Sequence, residues 1–370
     1  MLETGLGSMP TRRPPETRPR IALIAASLEI LGGQGIQACA VTAGLRNDGY
    51  DVAFIPINPP FPPGLRWVRR YRYVRTLLNQ ALYLPSLFQL RRVDVAHIFS
   101  ASYWSFLLAP VPAILAARCF RKRIVLHYHS GEAEDHLARW GPLTHPWLRL
   151  VDELVVPSEY LRAVFARHGH RARVIANVVD LERFCYRERV PLRPRLLSTR
   201  NLEPYYRVDN TLEAFALLKA RHPEATLTVA GYGSQEDRLR RLAASFRIDG
   251  IRFVGRVEPL EMPDLYDEAD IFVNSSVVDN QPVSLLEAFA AGLSVVSTGT
   301  GDIVAMVHDG ETGLIVPQDD PVAMAKAVAM LLEHPDRAGQ MARRAREEAE
   351  RCTWSQVRAT WTAVYSGRVA

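Results

Sequence analysis

The sequence predicts an α/β protein of two doubly wound, Rossmann-like halves facing a central cleft. Three observations predict it. Short apolar runs without alternation, the pattern of buried parallel strands, recur at 20–26, 52–57, 93–99 and 123–129 with helical stretches between them. The same alternation restarts at 196–199 and continues through 225–230, 251–254, 271–273, 294–297 and 314–316. Finally, 370 residues are long for one core and ordinary for two.

Composition narrows the class. Apolar content of 48% with 23% charged residues is that of a globular protein, not of a disordered one. Residues 1–18 read as a disordered lead, rich in Pro and Arg, rather than a signal peptide. The most apolar run, 106–119, is short for a bilayer and carries Pro110 and Pro112. Cys39, Cys119, Cys185 and Cys352 form no C-x-x-C pair, so neither a disulfide framework nor a zinc site is expected, which suits a reducing cytoplasm. Residues 1–190 hold 25 Lys and Arg against 15 Asp and Glu, whereas 191–370 hold 20 against 25. The first half is therefore expected to meet an anionic partner.

In chain order, the strand at 20–26 leads into Gly32-Gly33-Gln34-Gly35, a helix over 36–48 and a second strand. This is a βαβ start, but not the G-x-G-x-x-G fingerprint, which disfavours a nicotinamide dehydrogenase. The glycines fit a plain turn and a loop closely approached by ligand equally well. Residues 65–92 are basic and aromatic, with Val68, Tyr71, Val74 and Leu78 at helical spacing. They read as a surface helix or, more sharply, as an interfacial helix whose residues 66–75 face anionic lipid. Nucleic acid is not an expected partner, because no binding motif accompanies the charge.

One helix over 103–119 is expected to join the strands at 93–99 and 123–129. His127 and His129 are read as facing opposite sides of their strand, hence as no metal pair, with His129 at the strand end where crevice ligands sit. Ser158 reads as a helix N-cap, and the linker as lying within 185–195 around Pro191 and Pro194. Further helices are expected at 208–221, 234–246, 321–334, 336–351 and 354–364.

The stretch 274–292, NSSVVDNQPVSLLEAFAAG, is a polar loop between a strand and a helix starting near Leu285. Ser284 reads as the N-cap and Glu287 as its capping-box partner. A helix N-terminus following a strand is also a ready anion site, and a carboxylate beside it can hold the hydroxyls of a sugar attached to that anion.

With Asp279, Pro282 and then Leu286-Glu287-Ala288-Phe289-Ala290-Ala291-Gly292, this stretch resembles the E-x7-E region of retaining glycosyltransferases of the GT-B fold, family 4 or glycosyl transferases group 1. Asp279 stands where the family usually has Glu. Val156-Pro157-Ser158 and the passage from Ile175 to Phe184 are similar to the family's end of the first domain, and the resemblance spans roughly 18–365. It implies an acceptor domain over 19–190, a nucleotide-sugar domain over 191–350, and a terminal segment, 351–370, whose helix returns to the first domain. It implies catalytic roles for His129, Arg200, Asp279 and Glu287. Arg200 would meet the donor diphosphate and Glu287 the ribose.

Donor contacts are implied for Gly33, Gly35, Gly231, Gly233, Arg256, Val257 and the run Asn280, Gln281, Pro282, Val283 and Ser284. The family's second cation, six positions after its Arg, is here Tyr206, so either Arg207 beside it takes over the charge or the helix N-terminus after Asp279 bears more of it. No D-x-D motif occurs, so no metal or other cofactor is expected. The implied function is transfer of a sugar from a nucleotide-diphosphate sugar, with retention, to a glycan or lipid-linked saccharide. The enzyme would work in the cytoplasm, at or near the inner membrane face. A non-catalytic nucleotide-sugar binder or a GT-B epimerase is the alternative.

Overall fold

A computed structural model describes residues 18–27 and 32–367. The lead expected over 1–18 thus falls, but for Arg18, outside the described residues. Two parallel six-stranded sheets organise the chain. The first contains β1 (Ile21–Ala25), β2 (Val52–Pro56), β3 (Val95–Ser100), β4 (Arg123–Tyr128), β5 (Glu153–Val156) and β6 (Arg173–Val174), in the order β2-β1-β3-β4-β5-β6. The second contains β7 (Arg195–Ser198), β8 (Thr226–Ala230), β9 (Ile251–Gly255), β10 (Ile271–Asn274), β11 (Ser294–Thr298) and β12 (Leu314–Val316), in the order β12-β11-β10-β7-β8-β9. Strand order reverses between β1 and β3 and again between β7 and β10, which opens a crevice at the carboxyl ends of each pair.

The core explains the apolar runs. Both faces of the first sheet are covered: Ala22, Ile24, Ile98 and Leu126 bury on one side, while Ile21, Leu23, Val95 and Val125 bury on the other. Strands buried on both faces cannot alternate with polar residues. The helix Trp354–Ser366 belongs to the first sheet's layer, although it ends the chain. Its Val357, Trp361, Val364 and Tyr365 pack into that core, and the Trp354 indole donates to Asp48 at 3.0 Å. Gly44 makes room for this docking, since a Cβ there would stand 2.2 Å from the Trp354 ring.

Several expectations are corrected. The helix expected over 103–119 is two helices, Tyr103–Leu108 and Pro110–Cys119, because Pro110 has no N–H to continue the first. The stretch 65–92 begins with a 3-10 turn over Pro63–Arg70, continues as Arg72–Ser86 and ends in another 3-10 turn over Leu87–Arg92. The turn shifts the register, so Val68 is buried but Tyr71 and Val74 are exposed. Asn79 and Tyr83 face inward instead, donating to the carbonyls of Ile57 and Ala109. Pro142 and Pro146 lie inside the helix Ala133–Leu148, which pattern reading does not find. His127 and His129 share one face of β4 with ring centroids 4.1 Å apart, as residues two apart on a strand must.

Candidate active site

Every segment lining the main cleft follows a strand's carboxyl end. From the first domain come Gly33 after β1, Ser102 after β3, His129 to Glu132 after β4, and Asn177 after β6. From the second come Arg200 after β7, Gly231 after β8, Arg256 and Val257 after β9, and the loop through Ser284 after β10. The cleft between them encloses about 480 Å³.

Arg200 is its organising cation. Its guanidinium donates to Asp279 Oδ2 at 2.5 Å and to Ser284 Oγ at 2.9 Å, and lies 4.2 Å from the centroid of the Tyr206 ring. Burial is the largest influence and works against the charge, but Asp279 beside it, together with Tyr206, Tyr266 and Tyr205, outweighs it and holds the pKa above its ordinary value. Asp279 is itself fixed from both domains. A Cβ on Gly301, whose φ is +54°, would stand 2.1 Å from the Asp279 carbonyl oxygen, and one on Gly131 would stand 2.9 Å from it. Neither glycine leaves room for a side chain.

The helix Val283–Ala291 has Pro282 at its N-cap and no side-chain cap, so the expected Ser284 cap and its capping box with Glu287 are not formed. Proline's fixed φ turns the chain into the helix two positions early. Ser284 is thereby free to hold Arg200. Glu287 is buried at the cleft edge and accepts a hydrogen bond from the Tyr266 hydroxyl at 2.8 Å. Burial pushes its carboxyl up to about 7. Tyr266 is in turn held by Thr199 at 2.9 Å.

Arg207 does not enter the cleft. It adopts left-handed geometry before the helix Val208–Lys219, and its guanidinium pairs with Asp209 and Asp319. The neutral Tyr206 ring therefore occupies the position beside Arg200, with its hydroxyl held protonated by burial. Gly231, at φ +155°, lets its turn close on Arg200, since a Cβ would meet that carbonyl oxygen at 2.2 Å. Gly35 and Gly233 are absent from the cleft wall: Gly35 is buried in the helix Gly33–Asn47, and Gly233 packs on the Leu202 carbonyl. Asn280 and Gln281 line the cleft but are committed across the domains. Ser158 Oγ donates to Asn280, and Asn177 donates to Gln281 through both its backbone N–H and its side-chain amide. Val283 lies 3.7 Å from where a Gly33 Cβ would be.

His129 ends a line of imidazoles. Tyr365 bonds His97 Nδ1 at 2.9 Å, His97 Nε2 lies 3.3 Å from His127 Nδ1, and the His127 ring lies tilted against that of His129. Burial holds His97 and His129 down at about 3, so both rings are neutral at physiological pH. His129 Nε2 and Asn177 Oδ1 are buried without a partner. Glu132, Asn177, Tyr205 and Tyr266 escape sequence reasoning. Only Glu132, three residues beyond His129, had a positional signal. Among the described residues no three His, Cys, Asp or Glu side chains converge as a metal site.

Two family models match consecutive parts of the chain: Glycosyltransferase Family 4 over 31–183 and Glycosyl transferases group 1 over 188–348. Glycogen synthase of Mycobacterium tuberculosis is 32% identical over 274 residues, 69% of this chain and 64% of that protein. D-inositol 3-phosphate glycosyltransferase 2 of Catenulispora acidiphila is 36% identical over 56% of this chain and 53% of its own length. Phosphatidyl-myo-inositol mannosyltransferase of Mycolicibacterium smegmatis is 29% identical over 74% of this chain and 70% of its own. Anabaena HepE in complex with UDP and glucose superposes with a TM-score of 0.72 at 15% identity, covering 94% of this chain and all of that one. Sucrose-phosphate synthase of Thermosynechococcus elongatus does so at 0.72 and 19%, covering 95% and 99%. At those identities the structures speak for the GT-B fold alone. With its two halves matched in order by the family's two models, the chain belongs to glycosyltransferase family 4, the glycosyl transferases group 1.

Proposed function

We propose that this protein transfers a hexosyl group from a nucleotide-diphosphate sugar, with retention, to a glycan or lipid-linked saccharide. One observation carries the reading: Arg200 is held in a cradle of Asp279, Ser284 and Tyr206 at the switch point of the second sheet, with Glu287 across from it. A diphosphate there would meet a fixed guanidinium and the N-terminus of the helix Val283–Ala291, both of which favour the charge that grows as it leaves. Glu287 would accept hydrogen bonds from the ribose diol. Neutral His129 would offer a ring nitrogen to a hydroxyl of the donor sugar.

In the step itself, the bond from the sugar's anomeric carbon to the phosphate oxygen breaks, and the acceptor oxygen bonds that carbon on the same face. The acceptor's hydroxyl proton passes to a leaving phosphate oxygen. Asp279, already engaged by Arg200, is not free as a nucleophile, which supports this route over double displacement. The reading requires no divalent cation and no further cofactor.

The acceptor reading rests on the first domain. Residues 52–93 contain no Asp or Glu, and Trp67, Tyr71, Tyr73, Leu77 and Phe88 are exposed there. A basic, aromatic face fits the headgroup level of an anionic membrane, so a lipid-linked acceptor reached from the cytoplasmic side is the favoured form. Thermal-shift screening against nucleotide sugars, followed by NMR of the product anomer, tests the function. One nucleotide sugar should raise the melting temperature, its product should keep the donor's configuration, and a chelator should leave the rate unchanged. An inverted product would refute retention. No nucleotide-diphosphate release with any donor would refute transfer.

A further inference from the structure

Arg189 lies in the segment that joins the two sheets, between β6 and β7, and only 7% of its surface is exposed. Its neighbours Arg187 and Arg193 both pair with Asp270, whereas Arg189 has no ion pair among the described residues. Its partners are backbone carbonyls. Nε donates to Ala269 at 3.2 Å, Nη1 to Arg187 at 2.7 Å and to Ala291, and Nη2 to Tyr266 at 3.0 Å. Those bonds engage four of the five N–H groups that a guanidinium carries. Burial, and after it the charge of Arg187, lower its pKa to about 10, which still leaves it charged at physiological pH.

Three of those carbonyls end helices. Tyr266 lies in the last turn of the helix Met262–Glu268, which Ala269 caps, and Ala291 is the last residue of the helix Val283–Ala291. The negative ends of both helices offset the cost of burying a cation. Capping two helices is the plain explanation, but the carbonyls chosen are particular ones. Tyr266 gives its carbonyl to Arg189 and its hydroxyl to Glu287, the latter at 2.8 Å. Ala291 stands four residues beyond Glu287, one helical turn or about 6 Å along the axis. One guanidinium therefore holds both sides of the Tyr266–Glu287 contact. The Tyr266 ring is fully buried with Phe184 edge-on at 5.2 Å, so its hydroxyl goes where its backbone goes. Arg346 supplies a contrast. It caps the same helix through Ala290 at 2.6 Å, with no hydrogen bond to the helix Met262–Glu268 among the described residues.

We propose that Arg189 is a positioning residue for the candidate donor site: it sets the spacing of the helices Met262–Glu268 and Val283–Ala291 and so aims the Tyr266 hydroxyl at Glu287. This rests on the reading of Glu287 as a ribose contact, and two readouts separate the claims. The full chain is labelled with carboxyl-13C glutamate, and the Glu287 signal is assigned by its loss in E287Q. The Tyr266 hydrogen bond favours the ionised carboxylate, so R189K should raise the pH at which Glu287 titrates by about one unit. Y266F should raise it as far, and R346K should leave it in place. Uridine, guanosine and adenosine diphosphates are then titrated by calorimetry. R189K should weaken the one that binds about tenfold, and should add nothing in an E287Q background. In wild type that nucleotide should also slow hydrogen exchange at the Arg189 Nε–H, since coupling between two sites is reciprocal. The exchange measurement decides alone if R189K does not unfold cooperatively in urea. The proposal is overturned if folded R189K or Y266F keeps the wild-type titration, or if R346K moves it as far. It is equally overturned if R189K weakens binding as much in the E287Q background, or if bound nucleotide leaves Arg189 exchange unchanged. A Glu287 titration that shifts as expected in a chain that binds no nucleoside diphosphate would uphold the Arg189 link and refute the donor reading.

Discussion

Arg200 and Asp279 form an ion pair that is almost sealed from solvent, their side chains 9% and 11% exposed, with the Tyr206 ring stacked against the guanidinium. The shorter acid is what the geometry asks for. Its carboxylate reaches the arginine while its backbone stays trapped between Gly131 and Gly301.

The first prediction follows from that pair. Arg200→Lys keeps the charge but loses the planar fork shared between Asp279 and Ser284, so turnover should fall about a hundredfold. Asp279→Ala leaves a buried guanidinium without its counterion and should cost about 3 kcal/mol of stability in urea unfolding. A lysine variant with wild-type rates of nucleotide-diphosphate release would refute the role of the fork.

Glu287 predicts a pH dependence with two opposite signs. Its pKa is raised by burial from 4.5 to about 7, so the folded state prefers the protonated form. The stability this contributes is full below 4.5 and is lost as pH rises through about 7. Glu287→Gln mimics the neutral form, so its melting temperature should gain on wild type as pH climbs through that window. Donor affinity should run the other way: the ionised carboxylate is the better acceptor for a diol, so donor KM should rise in wild type as pH drops below about 7 and stay flat in the Gln variant. Parallel KM profiles would show that Glu287 does not meet the donor.

Arg207 predicts a silence. Because it is paired with Asp209 and Asp319 outside the cleft, Arg207→Ala should leave turnover within about twofold and cost no more than about 1 kcal/mol. A loss comparable to that of Arg200→Ala would mean that it swings in with the donor.

The sheets were legible because a strand buried on both faces must be apolar throughout, as Ile21–Ala25 is. Arg200 and His129 were legible as cleft positions because each directly follows a strand end, and Glu287 because it sits in the helix that follows one. Their partners were not. Tyr266 reaches Glu287 from 21 residues away and Asn177 reaches Gln281 from 104, and no local period records such meetings. Ser284 misled because a serine three before a glutamate looks like a cap unless a neighbouring proline has already set the turn.

The basic, aromatic sequence of residues 66–75 leads to the prediction of reversible membrane attachment. Each arginine near an anionic surface contributes about 1 kcal/mol, trimmed by salt. Wild type should float with anionic liposomes, and a variant with Arg66, Arg69, Arg70, Arg72 and Arg75 changed to Gln should not. Equal flotation of both, or of neither at low salt, would leave a soluble acceptor.

The hydrogen bonds that tie Ser158 to Asn280 and Asn177 to Gln281 bear on how such proteins can be recombined. On the proposed function, donor choice would belong to one half of the chain and acceptor choice to the other, which invites exchange of whole halves between relatives. The loop that holds Asp279 against Arg200 is, however, proofread by the opposite half. A hybrid that imports a foreign first half without a serine, an asparagine and a glycine at positions 158, 177 and 131 would inherit a donor site whose arginine is no longer aimed.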